Sequence, residues 1–249
     1  MIGLKPASDY KWGHAINSQL LLDQTLKDAS VNAIEADVIY SENQQQAVMG
    51  HPPQTDSALT LDSFLQQLLR SEFQSHQTQT IVKLDFKSQS AFDTSLDLVA
   101  RYVEKTQFPV GLWINADVVR GPGGGASVFD AGAFVESALT RISDKVVLSL
   151  GWTTGGDPAG VYTREMVQSM HEVVSRLCVD GGVCVQFAVR ATSVVDSMQA
   201  LVPLLDASEQ FGMTLWWSAF CLRPGELQRM RSLLHAWRER VFYDVCIEQ

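Results

Sequence analysis

Positive charge is scarce in this chain. Its 19 Lys and Arg face 28 Asp and Glu, a formal net charge of -9 over 249 residues. Non-specific binding to nucleic acid or anionic lipid needs a basic footprint, so that balance argues against both, though not against a neutral or zwitterionic lipid. Long apolar runs are missing as well. None approaches the roughly 18 residues that span a bilayer, and the opening MIGLKPASDYKWGHAINS has no apolar stretch of signal-peptide length. The expectation is a soluble, cytoplasmic chain with no transmembrane segment. Cysteines are few (Cys178, Cys184, Cys221 and Cys246), and none forms a Cys-x-x-Cys pair. They are expected to be reduced, mostly buried thiols of a cytosolic protein. No repeat, linker or low-complexity tract divides the chain, so residues 1–249 are expected to form one domain. Nothing specifies a protein partner.

What is present is alternation. Short apolar runs occur at 11–14, 32–39, 80–86, 109–115, 145–150, 183–189, 213–217 and 241–246. Most of the segments between them have helical periodicity. TLDSFLQQLLR (60–70) sets Leu61, Phe64, Leu65, Leu68 and Leu69 on one helical face. Residues 91–105, 131–142, 163–177, 194–210 and 225–240 repeat the pattern, and Pro203 is placed to kink or divide the fifth of these six helices. Eight strands alternating with helices predict an α/β fold, a single (β/α)8 TIM-type barrel. The chain stops soon after the eighth strand, so a full final helix is expected to be absent. The long 40–60 connection has room for an extra hairpin.

Acids interrupt the apolar runs on one parity. In NAIEADVIY (32–40), Glu35 and Asp37 share one strand face, opposite Ile34, Ala36 and Val38. In TIVKLDFKS (80–88), Lys83, Asp85 and Lys87 share a face; in GLWINADV (111–118), Trp113, Asn115 and Asp117 do. Gln186 and Arg190 agree in VQFAVR, and His14 closes the first run. In a barrel the outward face must be apolar, and inward residues near the strands' C-terminal ends line the active-site mouth.

Two physical accounts compete for these charges. In one, Glu35, Asp37 and Asp85 neutralise Lys83, Lys87 and Arg190 as a structural ion network. In the other, the three carboxylates hold a hard divalent cation, Mg²⁺ or Ca²⁺, and the cationic side chains face an anionic substrate. His14 and His51 flank the acids, and imidazole titrates near neutral pH as an acid–base pair should. Other features carry less. RGPGGGAS (120–127) lacks the Lys-Ser/Thr of a nucleotide-binding loop, so a plain flexible loop is expected. Trp152, in GWTTGG, is placed either to pack on a substrate or to cover the barrel top. Asp56 and Asp62 are expected as turn and helix-start residues.

GHAINS, AIEADV, MGHPP, KLDFKS, WINADV, SLGWTT and FYDV, in this order over nearly the whole chain, resemble the menorin family. That family is similar to the PLC-like phosphodiesterase superfamily, including glycerophosphodiester phosphodiesterases and spider-venom sphingomyelinase D-like enzymes. The resemblance implies a barrel and metal-dependent cleavage of a phosphodiester or phospholipid-like substrate. It implies that His14 and His51 are catalytic, that Glu35, Asp37 and Asp85 ligate the metal, and that Lys87 stands beside them. Trp216, or its neighbour Trp217, corresponds to the aromatic that ends the seventh run. Asn17, Lys83, Asn115 and Arg190 complete the expected substrate side. The alternative is a barrel that has lost turnover and serves as a binding, adhesion or signalling module, a role in which menorin relatives are discussed.

Overall fold

Apolar runs become strands and periodic segments become helices, as period-two and period-3.6 burial require. The structure is a computed structural model describing residues 6–71, 80–106, 111–175 and 182–248. Cys178, the start of the expected 109–115 strand and the end of the expected 163–177 helix lie outside the described residues. The first half of the chain runs β1 (Trp12–Gly13), α1 (Gln19–Lys27), β2 (Ala33–Ser41), β3 (Gln46–Met49), α2 (Leu61–Arg70), β4 (Ile81–Phe86), α3 (Gln89–Lys105) and β5 (Leu112–Arg120). The second half continues with α4 (Ala131–Ser137), β6 (Val147–Thr153), α5 (Arg164–Ser175), β7 (Val185–Arg190), α6 (Ala191–Ala207), β8 (Phe211–Leu222), α7 (Pro224–Leu233) and β9 (Val241–Ile247). The sheet order is β1-β2-β4-β5-β6-β7-β8-β9, with β3 added to β2. Sequential parallel strands with a helix in every crossover are the (β/α)8 TIM-type topology. The extra strand β3 is the hairpin expected in the 40–60 connection. Among the described residues no helix is long and apolar enough to cross a membrane.

Local chemistry starts several helices. Ser18, Thr60 and Ser88 each accept a backbone N–H from the first turn of α1, α2 and α3, the usual way to satisfy an orphan donor there. Helix α2 buries Leu61, Phe64, Leu65 and Leu68 of the stripe read from the sequence and leaves Leu69 half-buried. Helix α6 continues through Pro203 without dividing. The expected 225–240 helix is shorter: α7 ends at Leu233, and a 3₁₀ stretch covers His235–Arg240. Trp237 departs from helical geometry within that stretch, with φ -111° and ψ 15°. Trp237 Nε1 donates to Asp206 Oδ1 at 3.0 Å, and Arg240 Nη1 donates to the Phe211 carbonyl at 2.7 Å.

Two compact units are described in turn. The first comprises Lys11–Ala116 and Gly132–Leu148. Its helix-facing layer is Ile34, Ala36, Val38, Val82, Leu84 and Phe86, all buried. Phe92 of α3 closes that layer, 5.2 Å from the Phe86 ring and 4.4 Å from the Phe134 ring. On the opposite parity Trp12 and Trp113 meet edge to face at 5.8 Å.

The second unit comprises Asp117–Ala131 and Ser149–Gln249 with the turn at Ala7–Asp9. Trp152 is a core residue here: it is fully buried, packs 5.1 Å from the Tyr162 ring and donates Nε1–H to the Met166 carbonyl at 3.0 Å. The glycine-rich stretch after β5 is pinned rather than free. Gly121 N–H donates to the Thr153 carbonyl at 3.0 Å and Gly155 N–H to the Pro122 carbonyl at 2.9 Å. A Cβ on Gly124 would strike the Thr153 carbonyl, and Gly123 has a φ of 68°. These glycines therefore serve close backbone approach, which composition alone does not distinguish from flexibility.

The expectation of four reduced cysteines is corrected in this unit. Cys221 and Cys246 form a disulfide with a Cα–Cα distance of 4.5 Å, while Cys184 is free. The physical cause is strand pairing. β8 and β9 run side by side, and past an irregularity after Trp217 the register resumes at Leu222 opposite Ile247. Residues 25 apart in sequence thereby become neighbours. Such bonds persist in oxidising surroundings and are rare in the cytosol. In non-reducing peptide mapping, the peptides carrying Cys221 and Cys246 should run as one linked species until reduced, with Cys184 alkylated beforehand. Independent alkylation of all three would show that the pair does not form.

Candidate metal centre and active site

Pairing between β2, β4 and β5 stacks the inward side chains of the first unit in layers. Glu35 lies opposite Lys83, and Lys83 opposite Trp113. One layer on, Asp37 lies opposite Asp85, and Asp85 opposite Asn115. Partners in a parallel register share a face, so the polar parity of separate runs becomes one surface. Glu35, Asp37, Lys83 and Asn115 are buried. The Asp85 and Lys87 side chains are partly exposed.

The free edge of β2 is completed by three successive pieces of chain. β1 pairs with it at Ala33 and Ile34. The GHAINS loop then takes over: Ile16 N–H donates to the Glu35 carbonyl at 3.0 Å, and the Asp37 N–H donates to Asn17 Oδ1 at 2.8 Å. Finally Gly50 N–H donates to the Asp37 carbonyl at 3.0 Å, and β3 pairs with Val38 to Ser41. His14 and His51 adjoin the two ends of this handover. The hairpin thus brings His51 next to Gly50, whose N–H is on the Asp37 carbonyl. Ala15 makes the turn between β1 and the loop with a φ of 54°, a left-handed conformation that costs an alanine about 1–2 kcal/mol. In return its N–H donates to Glu35 Oε2 at 2.8 Å.

Each acid has defined partners. Asp37 Oδ2 accepts from Asn17 Nδ2 at 2.6 Å, and Asp85 Oδ1 accepts from Asn115 Nδ2 at 2.6 Å. The other oxygens, Asp37 Oδ1 and Asp85 Oδ2, hold Lys87 Nζ at 2.8 and 2.5 Å. His14 Nδ1 lies 3.7 Å from Glu35 Oε2. Burial pushes the Glu35 carboxyl up to about 7; the Asp37 and Asp85 charges add to that push, while His14 and Lys83 oppose it. Burial also pushes Asp85 up, but the Lys87 and Lys83 ammonium groups outweigh it and hold the carboxyl below its ordinary range.

Glu35, Asp37 and Asp85 each offer an oxygen, and these oxygens lie within 4.8 Å of one another. An all-carboxylate set suits a hard divalent cation. In this structure the positive charge beside two of the three acids is that of Lys87.

The shift of Glu35 predicts a pH dependence. Its ordinary value is 4.5 and its folded value about 7, so the stability gained by holding it protonated is full below the first and lost as pH rises through the second. Asp85, held below its ordinary 3.8, loses its contribution only as pH falls below that point, outside the Glu35 window. In chelator, the urea midpoint should fall between about pH 5 and about pH 7.5, and Glu35→Gln should flatten the fall. An equal slope in the variant would assign the titration to another group.

The remaining candidates each have partners of their own. Asn17 and Asn115 spend their amides on Asp37 and Asp85. His51 is exposed, with Nδ1 2.6 Å from the Pro52 carbonyl. Arg190 and Trp216 belong to the second unit, where they face each other across β7 and β8, and Trp216 lies opposite Asp244 of β9. Arg190 is buried and donates to Ser193 Oγ at 3.0 Å and to the Gly155 carbonyl at 2.9 Å. Trp217 is the more buried of the tryptophan pair and packs 5.1 Å from the Phe220 ring. The backbone N–H of Ala15 is the contributor that sequence reasoning missed, since a backbone donor leaves no trace in residue type.

Similarity to known proteins bears on the family and the fold. A model of the Menorin N-terminal domain matches residues 7–249. The human Protein FAM151B is 32% identical over 254 residues, covering 98% of this chain and 85% of that protein. A solved structure of a probable tagatose 6 phosphate kinase from Sinorhizobium meliloti 1021 superposes with a TM-score of 0.52 at 12% identity, over 93% of this chain and 63% of its own. At that identity the likeness concerns the fold alone, and this chain spans less than two thirds of the kinase's length.

Proposed function

This chain belongs to the menorin family, and from that membership and its carboxylate cluster we propose a divalent-cation-dependent phosphodiesterase acting on a phosphodiester or phospholipid-like substrate by histidine acid–base catalysis. The observation that carries the reading is the convergence of Glu35, Asp37 and Asp85 oxygens within 4.8 Å. Mg²⁺ or Ca²⁺ held there would polarise a non-bridging phosphoryl oxygen. Lys87 adds positive charge where the transition state spreads its negative charge. Asn17 and Asn115 hold Asp37 and Asp85 in place.

The two histidines differ in their neighbours, and that divides the roles. His51 Nδ1 faces a carbonyl, which only accepts. Its neutral ring therefore carries the proton on Nδ1 and presents a lone pair at Nε2, as a base needs. His14, whose Nδ1 lies 3.7 Å from Glu35 Oε2, is then left to act as the acid for the leaving oxygen.

A second reading, a barrel that binds without turnover, draws on one observation: Lys87 already neutralises Asp37 and Asp85, as a structural ion network would. Turnover separates the two. Glycerophosphodiesters, lysophospholipids and cyclic phosphates, tried with Mg²⁺ or Ca²⁺, should include a substrate that is cleaved. If a substrate hydroxyl is the nucleophile, replacing it with hydrogen stops cleavage, whereas attack by water tolerates the change. No cleavage across the panel, with metal demonstrably bound, would transfer the assignment to the binding module.

A further inference from the structure

Lys87 occupies the place between Asp37 and Asp85 that a bound cation would need. Each of these carboxylates has one oxygen committed to an asparagine amide, at 2.6 Å in both cases. Asn17 cannot turn over to release its oxygen, because its Oδ1 already accepts the Asp37 N–H. The oxygens left to face the centre are Asp37 Oδ1 and Asp85 Oδ2, and both are on the Lys87 ammonium, at 2.8 and 2.5 Å. Divalent cations sit about 2.0–2.6 Å from carboxylate oxygens. A cation bound to this oxygen pair would therefore fall on the ammonium or press against it, and like charges that close repel strongly.

We infer that Lys87 is the resident cation of the centre, that a divalent ion enters only as Lys87 leaves, and that loading thereby releases this ammonium to meet a phosphodiester. The inference rests on the metal reading proposed above.

The surroundings allow such an exchange for Lys87 and not for Lys83. Its backbone is pinned, with its N–H on the Val38 carbonyl at 2.9 Å and the helix cap Ser88 next in sequence. Movement therefore falls to the long side chain. That side chain is 20% exposed and has a path to solvent. Lys83, one layer away and opposite Glu35, is only 3% exposed. It stays as fixed compensation for the acids in both states. Charge is conserved in kind: an ammonium serves the acids in the empty centre, and a divalent ion serves them in the loaded one. A lysine that stayed between the acids would have no charge left for an anionic substrate.

Calorimetric titration of the full chain with Mg²⁺ and with Ca²⁺ tests the exchange. Lys87→Met and Lys87→Gln remove the competitor, so both should bind metal more tightly than wild type, on the order of tenfold or more, the worth of one charge-assisted hydrogen bond. Equal or weaker binding in both variants would overturn the inference while leaving the metal centre standing. If neither wild type nor variants bind, the metal reading itself falls and this inference with it. Unaltered protein supplies an independent readout should the variants fold poorly. Acylation of lysine amines, followed by mass spectrometry, should label Lys87 faster when metal is added, with Lys83 protected throughout. Labelling of Lys87 that stays level or slows as metal binds would show that the ammonium does not leave.

Discussion

Asp37→Asn should abolish the stabilisation that divalent metal confers on the wild type. A ligand that binds only the folded state adds about 2.7 kcal/mol at one hundred times its dissociation constant. The measurement is unfolding in Mg²⁺ or Ca²⁺ against chelator, for wild type and variant. The difference within each protein matters more than absolute stability. Asp37 also holds Lys87 at 2.8 Å and Asn17 at 2.6 Å, so the substitution disturbs the metal-free protein too. It takes one carboxylate from the ammonium, and truncating one partner of a buried pair is costly in itself. Wild-type unfolding that ignores both metal and chelator would favour the ion network over the metal centre.

Loss of either histidine should cut turnover without emptying the centre. His14→Ala and His51→Ala are each expected to lower cleavage of a phosphodiester by on the order of 10²-fold or more. Metal binding should be largely kept in both, because the carboxylates provide the ligands. The pH profiles should separate the roles. The wild type should lose rate on both sides of an optimum near neutrality. Without His14 the fall at high pH, which reports loss of the acid's proton, should disappear. Without His51 the fall at low pH, which reports protonation of the base, should disappear. Cleavage unaffected by either substitution would refute the acid–base pair; exchanged limbs would reverse the roles.

Local chemistry determined much of this protein. Alternation of apolar runs with helical stripes set the α/β class, because burial of one strand face or one helix stripe is a short-range pattern. The same logic put Glu35 and Asp37, then Lys83, Asp85 and Lys87, on inward faces before any pairing was known. What that pattern leaves open is which residues meet. Only the register of β2, β4 and β5 set Asp37 beside Asp85 and Asn115. Only strand pairing joined Cys221 to Cys246, where spacing had suggested free thiols. The left-handed Ala15, the β3 hairpin that returns His51 to β2, and the pinned glycines after β5 are likewise products of distant contacts. Lys87 shows the division most clearly. Sequence parity put it on the face of the acids, but its seat between two particular oxygens goes with two asparagines from other segments holding the other two. Parity is a property of neighbours along the chain; the partners of a buried charge are decided by strands that meet only when the chain has folded.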